Sequence, residues 1–416
     1  MADKKKEPRV RARPDTEILT RGFDPRLSVG SARPAVFRST TYVFSSPESA
    51  ERAFAVALGK VRPAEDEDVE LIYSRLSHPN AEILEDRLVP LEEGATSAAV
   101  FNSGMAAIST LILTLCRPGT SVVCSVPMYG GTHLLLYEVL EPFGVKPVPV
   151  AAGDDAALRR AIAETENLRL VFLETPANPT LRMTDIASAA QAASERAERP
   201  LVAVDNTFMG PVFQHPLQLG ADLCVYSATK YLAGFSDMLG GVVTAAGPEL
   251  VAHLRSTRAT LGNILQPDEC WLLDSRLPTV SLRMKTQSGS AEHIVDGLVG
   301  HERIERIHYP GLFEDPEQRR IYRAQCDHPG AIFSLELRGG KQAAFDFLRR
   351  LRITKNAVSL GAMESLACHP ATTTHSEMTP SQLERAGISQ GLVRISVGIE
   401  DWRDLLREYT DALDAL

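Results

Sequence analysis

ADLCVYSATKYLAG, residues 221–234, runs as an apolar segment into a serine, a threonine and a lysine before it stops at a glycine. Read as a buried strand, ADLCVYS demands partners of the same kind, and the chain supplies them. SAAVF (97–101), TSVVCS (120–125), VKPVPV (145–150), LRLVFLE (168–174), PLVAVD (200–205) and GGVVTAA (240–246) are short apolar runs too. Between them lie helix-spaced segments: AEILEDRLVPLEEG (81–94), MAAISTLILTL (105–115), THLLLYEVLEPFG (132–144), DAALRRAIAE (155–164) and DIASAAQAASERA (185–197). Apolar strands alternating with helices predict a mostly parallel sheet covered on both faces. From about residue 282 the alternation is lost. AIFSLEL (331–337), AAFDFLRRL (343–351) and LVRISVG (392–398) suggest a smaller α+β domain.

A length of 416 residues allows two domains around a substantial core, and 44% apolar with 23% charged residues is ordinary for a soluble globular chain. The net charge of -9 argues against a nucleic-acid-binding body. The basic residues Lys4, Lys5, Lys6, Arg9, Arg11 and Arg13 read as a solvated end. No apolar run approaches the roughly 18 residues of a membrane span, and the opening residues lack the apolar core of a signal peptide. Cysteines 116, 124, 224, 270, 326 and 368 have no metal-ligand spacing and read as reduced, mostly buried thiols. The expectations are a cytoplasmic location, no metal, no nucleic acid and no membrane. The proline-rich first seventy residues, with the acidic patch Glu65-Asp66-Glu67-Asp68, read as irregular and unable to form a core. Such a segment is expected to wrap something else, another subunit included.

In sheets of this kind ligands sit at the carboxyl ends of the strands, so the residues after each run deserve reading. Asn102-Ser103-Gly104-Met105 follows SAAVF, Thr175-Pro176-Ala177-Asn178-Pro179 follows LRLVFLE, Asp205 ends PLVAVD, and Ser227-Ala228-Thr229-Lys230 follows ADLCVY. Singly, each is bland: Ser-Gly before a helix is usually a cap, and an acid after a strand is usually a turn residue. Jointly they make a site. Free amides at Gly104 and Met105, with Ser103, Ser227 and Thr229, suit an anionic phosphate. Asp205 suits a protonated pyridine nitrogen, and Lys230 the amine of a Schiff base. The competing S-x-x-K acyl-enzyme reading of Ser227 and Lys230 leaves Asp205 and Ser103-Gly104 without a task. It also lacks its K-T-G partner, since Lys285-Thr286 is followed by Gln287.

The chain resembles the pyridoxal-phosphate enzymes of methionine and cysteine metabolism: cystathionine γ-synthases and lyases, methionine γ-lyase and homoserine sulfhydrylases. The resemblance spans nearly the whole chain through YSRLSHPNAEILEDRL (73–88), SGMAAI (103–108), YGGT (129–132), ETPANPT (174–180), VDNTF (204–208), SATKY (227–231), ESLACHPATTTH (364–375) and LVRISVGIE (392–400). It implies a fold type I, aspartate aminotransferase-like α/β architecture. The division expected is an N-terminal arm (1–78) reaching a neighbouring subunit, a large cofactor-binding domain (79–281) and a small C-terminal domain (282–416). It implies that Tyr129 stacks on the cofactor ring, Asn178 bonds its phenolic oxygen and Asp205 its nitrogen. Tyr73 and Arg75 would enter the neighbour's site, with Arg75 on the phosphate. Arg394, helped by Ser359, would hold the substrate carboxylate. Lys230, Tyr73 and Tyr129 would be the catalytic set, and the assembly a homotetramer of active dimers. Without the resemblance, Arg394 reads as a surface ion pair, awkward inside an apolar strand, and Tyr73 as ordinary packing.

Some positions depart from the family pattern. His78-Pro79-Asn80 replaces a common Asn-Pro-Thr and is expected to reshape the entrance to the neighbour's site. The acidic stretch before YSR looks like a small insertion. Gly131 stands where methionine γ-lyases carry a cysteine, and Val358 where cystathionine enzymes tend to carry an acid. The expected reaction is γ-elimination on a sulfur-containing L-amino acid such as methionine or homocysteine, giving a 2-oxo acid, ammonia and a thiol. The alternatives are γ-replacement on an O-acylhomoserine and cystathionine cleavage.

Overall fold

The computed structural model describes residues 12–64 and 67–416. Residues 1–11 and Glu65-Asp66, and with them most of the basic end and half of the acidic patch, lie outside the described residues. Seven strands build the main sheet: β1 (Ser97–Phe101), β2 (Ser121–Val126), β3 (Lys146–Ala151), β4 (Leu168–Glu174), β5 (Leu201–Asp205), β6 (Leu223–Ser227) and β7 (Gly241–Ala245). Their order is β1-β7-β6-β5-β4-β2-β3, with β7 antiparallel to both neighbours and the remaining pairs parallel. The carboxyl ends of β1, β4, β5 and β6 therefore point to one edge.

Continuous apolar runs follow from burial on both faces. Along β1, Ala98 and Val100 join one core with Cys224 and Val242, while Ala99 and Phe101 join the opposite core with Val225 and Val243. Helix Gly104–Leu115 covers that second face through Ile108 and Leu111. Helices Asp155–Glu164 and Ile186–Ser194 cover β2, β4 and β5 through Leu158, Ile162, Ile186 and Ala189. The cysteines are unpaired, with Cys326 partly buried and the others fully.

A second sheet contains β8 (Ile304–His308), β9 (Ile332–Leu337), β10 (Lys355–Asn356), β11 (Leu366–Cys368) and β12 (Leu392–Ser396) in the order β10-β11-β12-β9-β8. Phe333, Leu335, Val393 and Ile395 meet Phe347, Leu405 and Tyr409 of helices Gly340–Arg350 and Trp402–Asp414. Helix Val280–Leu298 crosses the expected boundary at 281–282. Its first turns put Val280 and Met284 into a core of the large sheet, and its later turns put Ala291, Ile294 and Leu298 into the core of the small one.

Two departures have local causes. The expected helix over 132–144 divides into an α turn at Gly130–Leu134, a π stretch at Leu135–Leu140 and a 3-10 turn at Glu141–Phe143. Pro142 has no N–H to continue an α ladder. The arm is less irregular than its prolines imply. Pro47 starts helix Pro47–Ala57 behind a Ser46–Ser49 capping box, and Pro14 starts helix Pro14–Thr20, each proline sitting where an N–H is dispensable.

Candidate active site

The strand ends converge as the spacing predicts. After β1, the Ser103 hydroxyl accepts Ala106 N–H at 3.0 Å and its carbonyl accepts Ala107 N–H at 3.1 Å. Ser103 is thus the N-cap, and the amides of Gly104 and Met105 precede the first one taken up within the chain. A Cβ on Gly104 would lie 2.9 Å from the Cβ and Oγ of Ser227. Glycine here lets the helix N-terminus close on the end of β6. Thr229 Oγ1 accepts Gly240 N–H at 3.0 Å, and its own proton has only a long 3.4 Å contact to Gly240 O. These groups form a pocket of donors for an anion.

Asp205 ends β5 with its carboxylate clamped on one side. Thr207 donates to Oδ1 through its N–H (3.1 Å) and its hydroxyl (2.6 Å), and the same hydroxyl accepts Ser227 N–H at 2.9 Å. No protein donor reaches Oδ2 among the described residues. Burial raises the Asp205 pKa, and the Thr207 bonds oppose the rise. A carboxylate held this way favours a cationic N–H partner.

Lys230 lies on the turn after β6, and its Nζ donates to Ser359 Oγ at 2.7 Å. Burial first, and the charge of Arg394 second, lower its pKa to about 8. A buried lysine shifted this far is poised to act as a neutral amine. Arg394, on β12, is 3% exposed and forms no salt bridge among the described residues. It donates to Asn178 Oδ1 (2.9 Å) and to Ser359 O (2.8 Å). The surface ion-pair reading is thereby excluded. Ser359 serves both Lys230 and Arg394 from a backbone at φ +109, unusual for a residue with a side chain. Since Arg394 occupies Asn178 Oδ1, the Asn178 side chain is left with its amide donors.

Tyr129 heads the turn after β2 with a half-exposed ring. Its N–H donates to Glu174 Oε2 at 2.7 Å, and Asn178 N–H donates to Glu174 Oε1 at 3.2 Å. The sequence alone gives Glu174 and Thr207, which stand at the same strand ends, no role. The strand-end rule that selected Asp205 selects Glu174 equally, because it ends β4 opposite Asp205 in register.

Tyr73 and Arg75 stand apart within the chain. Tyr73 pairs with Thr41 in an isolated bridge and is 41% exposed. Arg75 donates to Ala259 O at 2.5 Å. Among the described residues no hydrogen bond joins either to Lys230, Asp205 or Arg394. The expectation for His78-Pro79-Asn80 is corrected on this chain's own side: His78 and Asn80 are 1% and 2% exposed and do not line an entrance. His78 Nδ1 accepts Ala81 N–H (3.2 Å) while Nε2 meets Leu265 O (2.9 Å), so it caps helix Pro79–Leu88, a job asparagine also performs. Asn80 bonds Phe37 N and Ala35 O, anchoring the arm.

The residues fit pyridoxal phosphate. A Cβ-free helix start opens onto Ser227 and Thr229 for the phosphate, Asp205 keeps one oxygen free of protein donors, Asn178 offers an amide donor, and Lys230 is a depressed amine.

Known proteins agree with this chemistry. The profile of the Cys/Met metabolism PLP-dependent enzyme family matches residues 15–414. An L-methionine gamma-lyase of Pseudomonas putida is 39% identical over 402 residues, covering 96% of this chain and 97% of that one. An O-succinylhomoserine sulfhydrylase of Pseudomonas aeruginosa is 36% identical over 402 residues, covering 96% and 95%. The crystal structure of a cystathionine gamma-lyase from Micromonospora echinospora superposes with a TM-score of 0.86 at 37% identity, covering 97% and 99%. The architecture is the fold type I expected, and the chain belongs to the Cys/Met metabolism PLP-dependent enzyme family.

Proposed function

We propose that the protein catalyses γ-elimination on a sulfur-containing L-amino acid such as methionine or homocysteine. Carbon–sulfur cleavage with net addition of water gives a thiol, ammonia and a four-carbon 2-oxo acid. The observation that carries this reading is Val358, 54% exposed beside Ser359, an apolar side chain that offers no partner to a charged distal group. Similarity to methionine γ-lyases over nearly the whole chain supports it.

Ser103, Gly104, Met105, Ser227 and Thr229 would hold the phosphate, Tyr129 the ring face, Asn178 the phenolic oxygen and Asp205 the ring nitrogen. Bound there, pyridoxal phosphate supplies the electron sink that acidifies the substrate's α- and β-protons. Arg394 receives the substrate carboxylate through donors not used on Asn178 and Ser359, a fork suited to bidentate binding. Ser359 Oγ steers Lys230 Nζ, which takes the proton from Cα. Tyr73 of a second subunit protonates the departing sulfur, and Arg75 from the same arm completes the phosphate site. Their exposure, with that of the apolar arm residues Leu27, Val29 and Val43, supports packing of the arm against another copy. The proposed assembly is a cytoplasmic homotetramer built from active dimers, each chain divided near residues 78 and 281.

Gly131 favours a second reading, γ-replacement on an O-acylhomoserine, because the cysteine of the methionine γ-lyases is missing. A panel of L-methionine, L-homocysteine, L-cystathionine and O-acylhomoserines, with and without sulfide, separates the two. Ammonia and oxo acid from methionine or homocysteine are expected. A thioether or thiol amino acid without ammonia establishes replacement, and cystathionine as the best substrate overturns the Val358 reasoning.

A further inference from the structure

Glu174 has no part in the roles above, yet it links the residues that have them. It is the last residue of β4, 5% exposed, and opposite Asp205 in the parallel β4–β5 register. Its own N–H is tied to Ser125 Oγ at 2.8 Å, which anchors the strand end to β2. Its two carboxylate oxygens divide between two loops: Oε2 takes Tyr129 N–H and Oε1 takes Asn178 N–H. No salt bridge to Glu174 exists among the described residues. Burial first and the facing Asp205 second push its pKa up to about 8, while the Tyr129 and Asn178 N–H bonds, and after them the charge of Arg394, oppose that rise.

A carboxylate buried without a cationic partner is costly, and an apolar residue would end the strand more cheaply. What a carboxylate offers is two acceptor atoms on one rigid plane. Glutamine would accept one amide and turn its own N–H₂ toward the other. Aspartate keeps the charge but shortens the reach by one methylene. We propose that Glu174 is a positioning residue that sets the slot for the cofactor ring, holding the loops of Tyr129 and Asn178 at a fixed separation through a single carboxylate. The proposal rests on the assignment of Tyr129 and Asn178 to that ring. A second consequence is electrostatic: with Asp205 it puts two carboxyl groups side by side at the strand ends that would hold the ring.

The test uses Glu174→Gln and Glu174→Asp in the full-length holoenzyme, with Tyr129→Ala and Asn178→Ala in parallel. Three quantities are read: the dissociation constant of pyridoxal phosphate on reconstitution, the pH midpoint of the cofactor's visible absorption band, and kcat against KM. In Glu174→Gln the cofactor should bind at least tenfold more weakly. The band midpoint should fall, because a bound ring cation favours the ionised form of Glu174 and glutamine cannot supply that charge, and kcat should drop with KM changed less than threefold. Glu174→Asp should recover most of the midpoint but not all of the affinity. Wild-type affinity and midpoint in Glu174→Gln overturn the proposal. If Glu174→Gln does not fold, Glu174→Asp decides, and unchanged affinity in it overturns the proposal as well. A fall in melting temperature with unmoved midpoint and affinity marks a purely structural residue and also refutes it. If Glu174→Gln weakens the cofactor while Tyr129→Ala and Asn178→Ala do not, the ring assignments fail instead.

Discussion

Replacing Arg394 with methionine removes the only charge proposed to face the substrate carboxylate while keeping a side chain of similar length. The guanidinium is buried, bonded to Asn178 Oδ1 and Ser359 O, and without a carboxylate partner among the described residues. Removing one side of a desolvated, hydrogen-bonded charge pair costs about 3–5 kcal/mol. At about 1.4 kcal/mol per decade, kcat/KM for an amino acid should fall roughly 100- to 4,000-fold. A second change accompanies the first. The Arg394 charge is the lesser of the two causes that lower the Lys230 pKa. Without it, Lys230 should titrate at higher pH, and the pH limb that reports its deprotonation should move alkaline. The assay compares methionine with the amine that lacks its carboxylate, in cofactor-saturated enzyme. Wild type should prefer the acid strongly, and Arg394→Met should barely distinguish them. If the variant discriminates as well as wild type, the carboxylate is held elsewhere and the assignment is wrong.

Lys230→Ala should lose at least the roughly 10²–10⁴ typical of a positioned proton-transfer group, and borohydride should fix the cofactor to wild type but not to this variant. Uptake of cofactor by the empty protein should follow the neutral amine. Because the Lys230 pKa is lowered to about 8, uptake should rise about tenfold per pH unit below that value and level off above it; a flat profile from pH 6 to 9 contradicts this. Mixing Arg75→Ala with Lys230→Ala protein should restore activity in hybrid sites, and recovery no greater than the sum of the two refutes a shared site. Gly131→Cys would put a Cβ 2.6 Å from Tyr129 Cε1 and 3.0 Å from Met105 Sδ. The half-exposed ring should yield at about 1 kcal/mol, the low end of overpacking costs. It should tilt, change the cofactor's circular dichroism and raise methionine turnover; an unchanged spectrum contradicts the mechanism.

What was legible in the chain followed from burial. Strands covered on both faces must be apolar throughout, so SAAVF and LRLVFLE matched β1 and β4 residue for residue. A polar residue that ends such a run is conspicuous, and that marks Asp205, Ser227 and Lys230. Contacts between distant segments leave no local trace. Nothing near Ser359 indicates that its carbonyl meets Arg394 and its hydroxyl meets Lys230, 129 residues away. The joint role of helix Val280–Leu298 in two cores was hidden for the same reason: its periodicity is continuous while its environment changes. His78 misled differently. It departs from the family's common asparagine, yet its ring nitrogen accepts the Ala81 N–H at the helix start, a job an asparagine can also do.

The charges of the site explain why the two sheets must meet around a ligand. The large sheet contributes Glu174 and Asp205, two buried carboxyl groups on adjacent strands; both Glu174 oxygens take backbone N–H groups, while Asp205 is held through Oδ1 alone. The small sheet contributes Arg394, satisfied by a carbonyl and an amide oxygen. Had Arg394 paired directly with either acid, the pair would have been neutral and closed to charged ligands. Asn178 stands between Arg394 and Glu174, giving its N–H to the acid and its side-chain oxygen to the arginine. The acidic half is left to prefer a cationic ring and the basic half an anionic carboxylate. Lys230 hangs between them at a pKa low enough to exchange its proton. A zwitterionic amino acid matches that polarity in one orientation, with its carboxylate toward β12 and its amino group toward Lys230.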